Sequence, residues 1–264
     1  MSRSLPRARA ALLRSWPACA LAVWSAAWRA GLAAPDDVLH TLHDYAQAHE
    51  IDPAPGTGID AGGTELELLH LVGAAPLTAI VSPAPGDAQG LPPGALTEAA
   101  LSAGEVLLLS RTGAPPLAMT AHGTAERCRW AVRALSGPVD LEALGAERGL
   151  GDLEYELRES VAEAANVIAG LAGPRTGGPA DLRDALAART AASTLDLPPH
   201  DRQRVDRILA TVTQLDAIID LARGPGISAE QLASADDQLR RLAALTRRAR
   251  TAAVNALLRD YRTS

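Results

Sequence analysis

One stretch constrains this chain more than any other, because Leu77–Leu135 is the only part that reads as a sheet. Leu77-Thr78-Ala79-Ile80-Val81-Ser82 has the composition of a strand, and so does Glu105-Val106-Leu107-Leu108-Leu109-Ser110. Between them lie a loop rich in Pro and Gly, 83–94, and a short helical segment, Ala95–Ala103. Leu117–Thr120 predicts a third strand. From Arg127 to Leu135, Cys128, Trp130, Val132 and Ala134 alternate with Arg127, Arg129, Ala131 and Arg133. That period of two predicts a half-buried antiparallel strand with Arg on one side. The expectation is a small, mainly antiparallel sheet of three or four strands, one face covered by helices and the other carrying Arg.

Helical spacing dominates the rest. Pro35 and the acids Asp36 and Asp37 open a helix whose Val38, Leu39, Leu42 and Ala46 share a face. Ile51–Gly63 reads as a loop and Thr64–Val72 as a helix. Gly149-Leu150-Gly151 marks a boundary. Beyond it come Asp152–Leu171, Asp181–Ser193 and a long helix, His200–Arg223, with Val205, Ile208, Val212, Leu215, Ile219 and Ala222 in steps of three and four. Gly224-Pro225-Gly226 turns the chain, and Ser228-Ala229-Glu230-Gln231 is a capping box for the last helix. That helix carries Leu232, Ala235, Leu239, Leu242, Ala249 and Ala253 on one side, with Arg240, Arg241, Arg247, Arg248 and Arg250 mainly elsewhere. The fold class is α+β. Residues 1–150 hold the N-terminal helices and the small sheet, and residues 151–264 a helical bundle ending in a long antiparallel hairpin, its core apolar and short of polar side chains.

The N-terminus has the outline of a secretory signal: Arg3, Arg7, Arg9 and Arg14, then an apolar run, Trp16–Trp28. Pro17, three Trp and the immediately following Arg29 argue instead for a retained amphipathic helix, and the run is too short to span a bilayer.

Composition limits the chemistry. All 25 basic residues are Arg and there is no Lys, which removes Schiff-base and lysine general-base catalysis. There is no Phe, so the core must be built from Leu, Ala, Val and Ile. The charge is uneven: residues 228–264 carry seven Arg against four acids, while residues 31–227 carry 13 Arg against 27 acids. A chain of net charge −6 is a poor general binder of nucleic acid, and the basic ends are expected to lie against the acidic middle. Cys19 and Cys128 are too far apart for a zinc knuckle and fit a reducing cytoplasm as small buried residues.

Two places hold candidate contact residues. On the helix at Pro35, the side away from the apolar face carries Asp36, His40 and Asp44 at i,i+4 spacing, with His43 one turn from His40. A metal would need three or four convergent ligands, and no distant partner is identifiable, so this reads as a solvated face. In loop 83–94, Gly86 and Gly90 allow unusual dihedrals and Asp87 is the only charge. The loop matches neither a phosphate-binding loop nor a dinucleotide fingerprint, and no cofactor is expected.

Trp24–Trp28 leading to Ala30-Gly31-Leu32-Ala33-Ala34-Pro35-Asp36-Asp37, Pro83-Ala84-Pro85-Gly86-Asp87 with Gly90-Leu91-Pro92, and Leu197-Pro198-Pro199 before the terminal hairpin together resemble a group of uncharacterised proteins from high-GC actinobacteria. The resemblance implies a cytoplasmic protein and assigns no site residues. The first functional reading is therefore a non-enzymatic cytoplasmic module that binds another protein, or a second copy of itself, through the helical hairpin or the Arg-bearing sheet face. The alternative is a small-ligand binder or enzyme using loop 83–94 with Asp87, Gly86 and Gly90, together with His40 and His43. Nucleic-acid binding through the Arg-rich last helix is the remaining reading.

Overall fold

Strand-forming Val, Ile and Leu and the turn residues between them build the sheet where the sequence places it, but the sheet is larger than expected. The computed structural model describes residues 12–136, 139–144, 149–171, 179–222 and 229–263. Within them, helices α1 (Pro17–Arg29) and α2 (Pro35–His43) precede β1 (His49–Pro53), α3 (Glu65–Gly73) and β2 (Thr78–Val81). Next come α4 (Ala95–Ala103), β3 (Val106–Leu109), β4 (Leu117–Gly123) and β5 (Cys128–Ala134). The chain continues as α5 (Leu150–Leu171), α6 (Pro179–Ser193), α7 (Gln203–Ala222) and α8 (Ala229–Thr263). The expected turn at Gly224-Pro225-Gly226 and the capping box at Ser228 lie outside the described residues.

The five strands run in the order β1-β5-β4-β3-β2. Four of them form the antiparallel set, and β1 adds in parallel to β5, Ile51 beside Trp130. The parallel β1 takes the sheet beyond the three or four strands expected of a mainly antiparallel sheet, and it replaces the loop expected to begin at Ile51. Glu50 in β1 also lies against two arginines of the predicted row. It pairs with Arg127 and lies 3.7 Å from Arg129. At the β4–β5 turn only glycine fits: Gly123 has φ of 148°, and a Cβ there would lie 2.0 Å from the Arg127 carbonyl oxygen.

Both outer edges of the sheet are blocked at their centres. On β1, the Ile51 N–H donates to the Gly63 carbonyl at 3.0 Å, and its carbonyl accepts from Gly62 at 3.2 Å. On β2, the side-chain amide of Asn255 in α8 stands in for a strand. Its Oδ1 accepts the Ile80 N–H at 2.8 Å and its Nδ2 donates to the Ile80 carbonyl at 2.9 Å. An edge strand paired in this way cannot template another chain.

The two sheet faces differ. Ile80, Leu107, Leu109, Leu117, Met119, Trp130 and Val132 face the main core, while Ala79, Val81, Val106, Leu108 and Ala118 pack under Leu91 and Ala100 from loop 83–94 and α4. The main core is continuous with Leu153 and Leu157 of α5 and the predicted stripe of α7, which is buried at every position. Leu239, Leu242, Ala249 and Ala253 of α8 join it. Val161, one turn beyond Leu157 on α5, is exposed.

At the centre sits α1. It contacts α2, α3, α8 and strands β2, β3 and β4. It is not the amphipathic helix expected: Ala18–Val23 are all buried, as are Ser25 and Ala27, because partners close on it from several directions. Its approach to α3 is close enough that a Cβ on Gly73 would meet the Trp28 ring at 2.5 Å. Helix α8 packs against α5, α7, α1 and β2. The face it turns inward carries Thr246, Arg250, Thr251 and Asn255, all buried. That corrects the expectation of a core short of polar groups, and of Arg250 outside it.

Candidate functional site

The residues singled out from sequence are not gathered into one site. His40 is exposed. His43 Nε2 lies 3.3 Å from Glu65 of α3, and Asp44 accepts from Arg14 at 3.1 Å. Among the described residues no group of three or more His, Cys, Asp and Glu could hold a metal ion. In loop 83–94, Ala84 and Asp87 exchange backbone hydrogen bonds of 2.9 and 2.8 Å across a turn in which Gly86 has φ of 86°. The Asp87 carboxylate accepts the Gln89 N–H at 3.2 Å, the Gln89 side chain accepts the Ser82 N–H at 2.8 Å, and Leu91 is buried. The loop thus spends its polar groups on its own shape. The cavities beside β2, beside Pro199 and His200, and along α6 and α7 are not bounded by His40, His43, Gly86, Asp87 or Gly90.

The buried titratable groups that sequence reasoning missed also have structural partners. Glu105, at the start of β3, caps α1: its two carboxylate oxygens accept the Ala18 N–H at 2.7 Å and the Cys19 N–H at 3.1 Å. Trp16, the residue before α1, supplies no side-chain cap and has φ of 69°, so a carboxylate from another element replaces it at the positive end of the helix dipole. Burial pushes the Glu105 carboxyl up, against the N–H donors of Ala18 and Cys19 and the charge of Arg250, which hold it down. Burial, with Glu105 beside it, pushes the Cys19 thiol well up, and burial raises Cys128 to about 12, so neither is a thiolate at neutral pH. Arg250 pairs with Asp216 of α7 and stacks 3.4 Å from the centroid of the Trp16 ring. His49 is held between Leu42 and Trp130: one ring nitrogen is 2.9 Å from the Leu42 carbonyl, and the other accepts the indole N–H at 3.0 Å.

Beside an open cleft of about 390 Å³ at Pro199, His200 and Tyr261, two openings among the described residues stand as candidate sites. The first is a shallow apolar groove between α6 and α7, about 570 Å³, floored by Leu186, Ala187, Ala191 and Ile218 with Arg183 at its rim. A cleft of about 260 Å³ continues it past Thr190, Thr194 and Gln214 towards Leu195, Leu197 and Leu209. The second is a smaller cavity of about 140 Å³ beside the edge of β2. Arg29 at the end of α1, Arg259 and Arg262 at the end of α8, Glu142 and Thr78 are among its lining residues. No local signal marks either opening, since each is made by elements far apart in the chain.

Comparison with known proteins agrees with the resemblance seen in the sequence. Family models described as "Rv1486c-like protein, N-terminal domain" and "Rv1486c-like protein, C-terminal domain" match residues 18–144 and 151–251. The uncharacterized protein MT1533 of Mycobacterium tuberculosis is 33% identical over 285 residues, covering 92% of this chain and 97% of its own. The uncharacterized protein ML1804 of Mycobacterium leprae is 30% identical over 298 residues, with the same coverage of both chains. No solved structure matches the chain. No helix among the described residues is long and apolar enough to cross a membrane. With both family models matched along most of its length, the chain belongs to the Rv1486c-like family.

Proposed function

We propose that this is a non-enzymatic cytoplasmic interaction protein that receives an amphipathic helix of another protein in the groove between α6 and α7. The observation that carries this reading is the groove itself: an open apolar trough of about 570 Å³ that continues into a second cleft along the same pair of helices. A helix laid in such a trough buries Leu- and Ala-sized anchors at i, i+3, i+4 and i+7. Arg183 at the rim favours an acidic residue on the incoming helix. A second copy is a poorer occupant. A two-fold dimer needs a self-complementary patch, and two concave grooves do not fill one another. The roles of the buried acid, thiols and histidine in capping and core packing support binding over catalysis.

The test is co-purification of the tagged full-length chain from its own cell, followed by binding of the identified partner's helix to the wild-type chain and to Leu186→Arg. The expected result is a one-to-one complex weakened on the order of tenfold or more by the substitution, with an unchanged melting temperature of the unbound chain. A partner whose affinity ignores Leu186→Arg, or a chain that purifies alone, overturns the proposal.

A further inference from the structure

In an antiparallel strand the backbone groups of alternate residues point the same way. Ser110 donates its N–H to the Leu77 carbonyl, towards β3, so Thr78 and Ile80 point away from β3. Asn255 satisfies Ile80. Thr78 opens into the 140 Å³ cavity at the strand edge. A cavity of about this size takes a benzene-sized molecule when its walls are apolar. Here three arginines, Arg29, Arg259 and Arg262, line it together with one acid, Glu142.

The charges do not cancel. Arg262 is paired with Glu142 at 3.1 Å. Arg29 gives an N–H to the Ala75 carbonyl, and Arg259 gives one to the Leu144 carbonyl at a long 3.4 Å. Both of those acceptors are neutral. Arg29 and Arg259 have no carboxylate partner among the described residues, and each guanidinium has five N–H donors, of which one is used among those residues. Arginine at the end of a helix is also favoured by the helix dipole, which accounts for each residue taken singly. It does not account for arginines of two helices lining one cavity beside the edge of β2, in a chain whose net charge is −6.

We propose that this cavity binds the phosphoryl group of a small molecule. The guanidinium charges of Arg29 and Arg259, which have no carboxylate partner among the described residues, match the roughly −1.5 to −2 carried by a phosphate monoester near neutral pH. Their spare donors and the Thr78 N–H supply more hydrogen bonds than a carboxylate can accept. The cavity holds the phosphoryl group and leaves the rest of the ligand in solvent. The groove between α6 and α7 shares none of its lining residues, so this site stands or falls apart from the proposed partner site.

The probes are inorganic phosphate, a sugar phosphate and acetate, titrated calorimetrically into the full-length protein and into Arg29→Gln, Arg259→Gln and, as a control, Arg240→Gln. Arg240 is exposed and paired with Asp236 and Asp237 in the middle of α8. Saturable binding of phosphate or the sugar phosphate, not of acetate, is expected. Arg29→Gln and Arg259→Gln should each weaken it about tenfold, and Arg240→Gln should leave it unchanged. Tighter binding of the sugar phosphate than of inorganic phosphate identifies a monoester ligand, and equal binding identifies the free anion. The unliganded melting temperature separates a lost ligand contact from a damaged fold, and Arg259→Gln reports on the site even where loss of the Arg29–Ala75 contact disturbs α1. No saturable binding of either phosphate, acetate binding as tight as phosphate, or binding that neither substitution in the cavity changes, overturns the proposal.

Discussion

His49 shows how one buried side chain ties the stability of this protein to pH. With one nitrogen at the Leu42 carbonyl and the other accepting from Trp130, the ring is neutral and both nitrogens are used. Burial lowers its pKa below the ordinary 6.5, because a second ring proton would face the indole N–H and leave a charge in the core. Above pH 6.5 the ring is neutral in folded and unfolded chains alike, and its share of stability is fully present. Below it the unfolded chain takes up a proton that the folded chain refuses, so stability falls with pH at up to about 1.4 kcal/mol per unit until the folded pKa is reached. Glu105 acts in the opposite sense, since its raised carboxyl adds stability as the pH drops. The measurement is therefore a difference: urea midpoints of wild type and His49→Gln between about pH 8 and 5. The wild type should lose stability relative to the variant as the pH passes below 6.5, and parallel curves would contradict the assignment. From the sequence, His49 is one histidine among six. Only the fold places Trp130 and Leu42 on its two nitrogens.

Among the elements, β2 and α8 depend on each other most directly. Asn255 gives the edge strand the hydrogen bonds that a sixth strand would give. Asn255→Leu keeps the volume and leaves a buried N–H and C=O without partners, each costing about 1–3 kcal/mol. The expected outcome is a drop in the denaturant midpoint at constant slope, and on partial unfolding a tendency to associate through the uncovered edge. A variant as stable as the wild type would show that this contact adds nothing net. Periodicity made α2, α4, α7 and the apolar part of α8 legible, as well as the alternation of β5. It failed for β1, because His49-Glu50-Ile51-Asp52-Pro53 offers one fully buried aliphatic side chain and a proline. That strand exists through its pairing with β5, which no local pattern announces.

For the whole molecule, the consequence lies in α1. Its run of buried residues is the floor on which the sheet, α2, α3 and the end of α8 meet. A chain that begins at Ala34 should lose cooperative thermal unfolding, since it would leave Trp130-side sheet residues and α8 without their cover. Retention of a sharp transition in that truncation would mean α1 is peripheral. The sequence by itself determined which segments are helices, where the antiparallel strands run, and which stripe of α7 is buried. Those are local properties of period and propensity. Tertiary structure alone decided that Glu105 caps a helix 87 residues away, that Arg250 is buried against Trp16 and Asp216, and that Arg29 and Arg259 line one cavity beside β2. A charged side chain reads the same on a surface and in a core, and only the neighbours brought to it by folding say which it occupies.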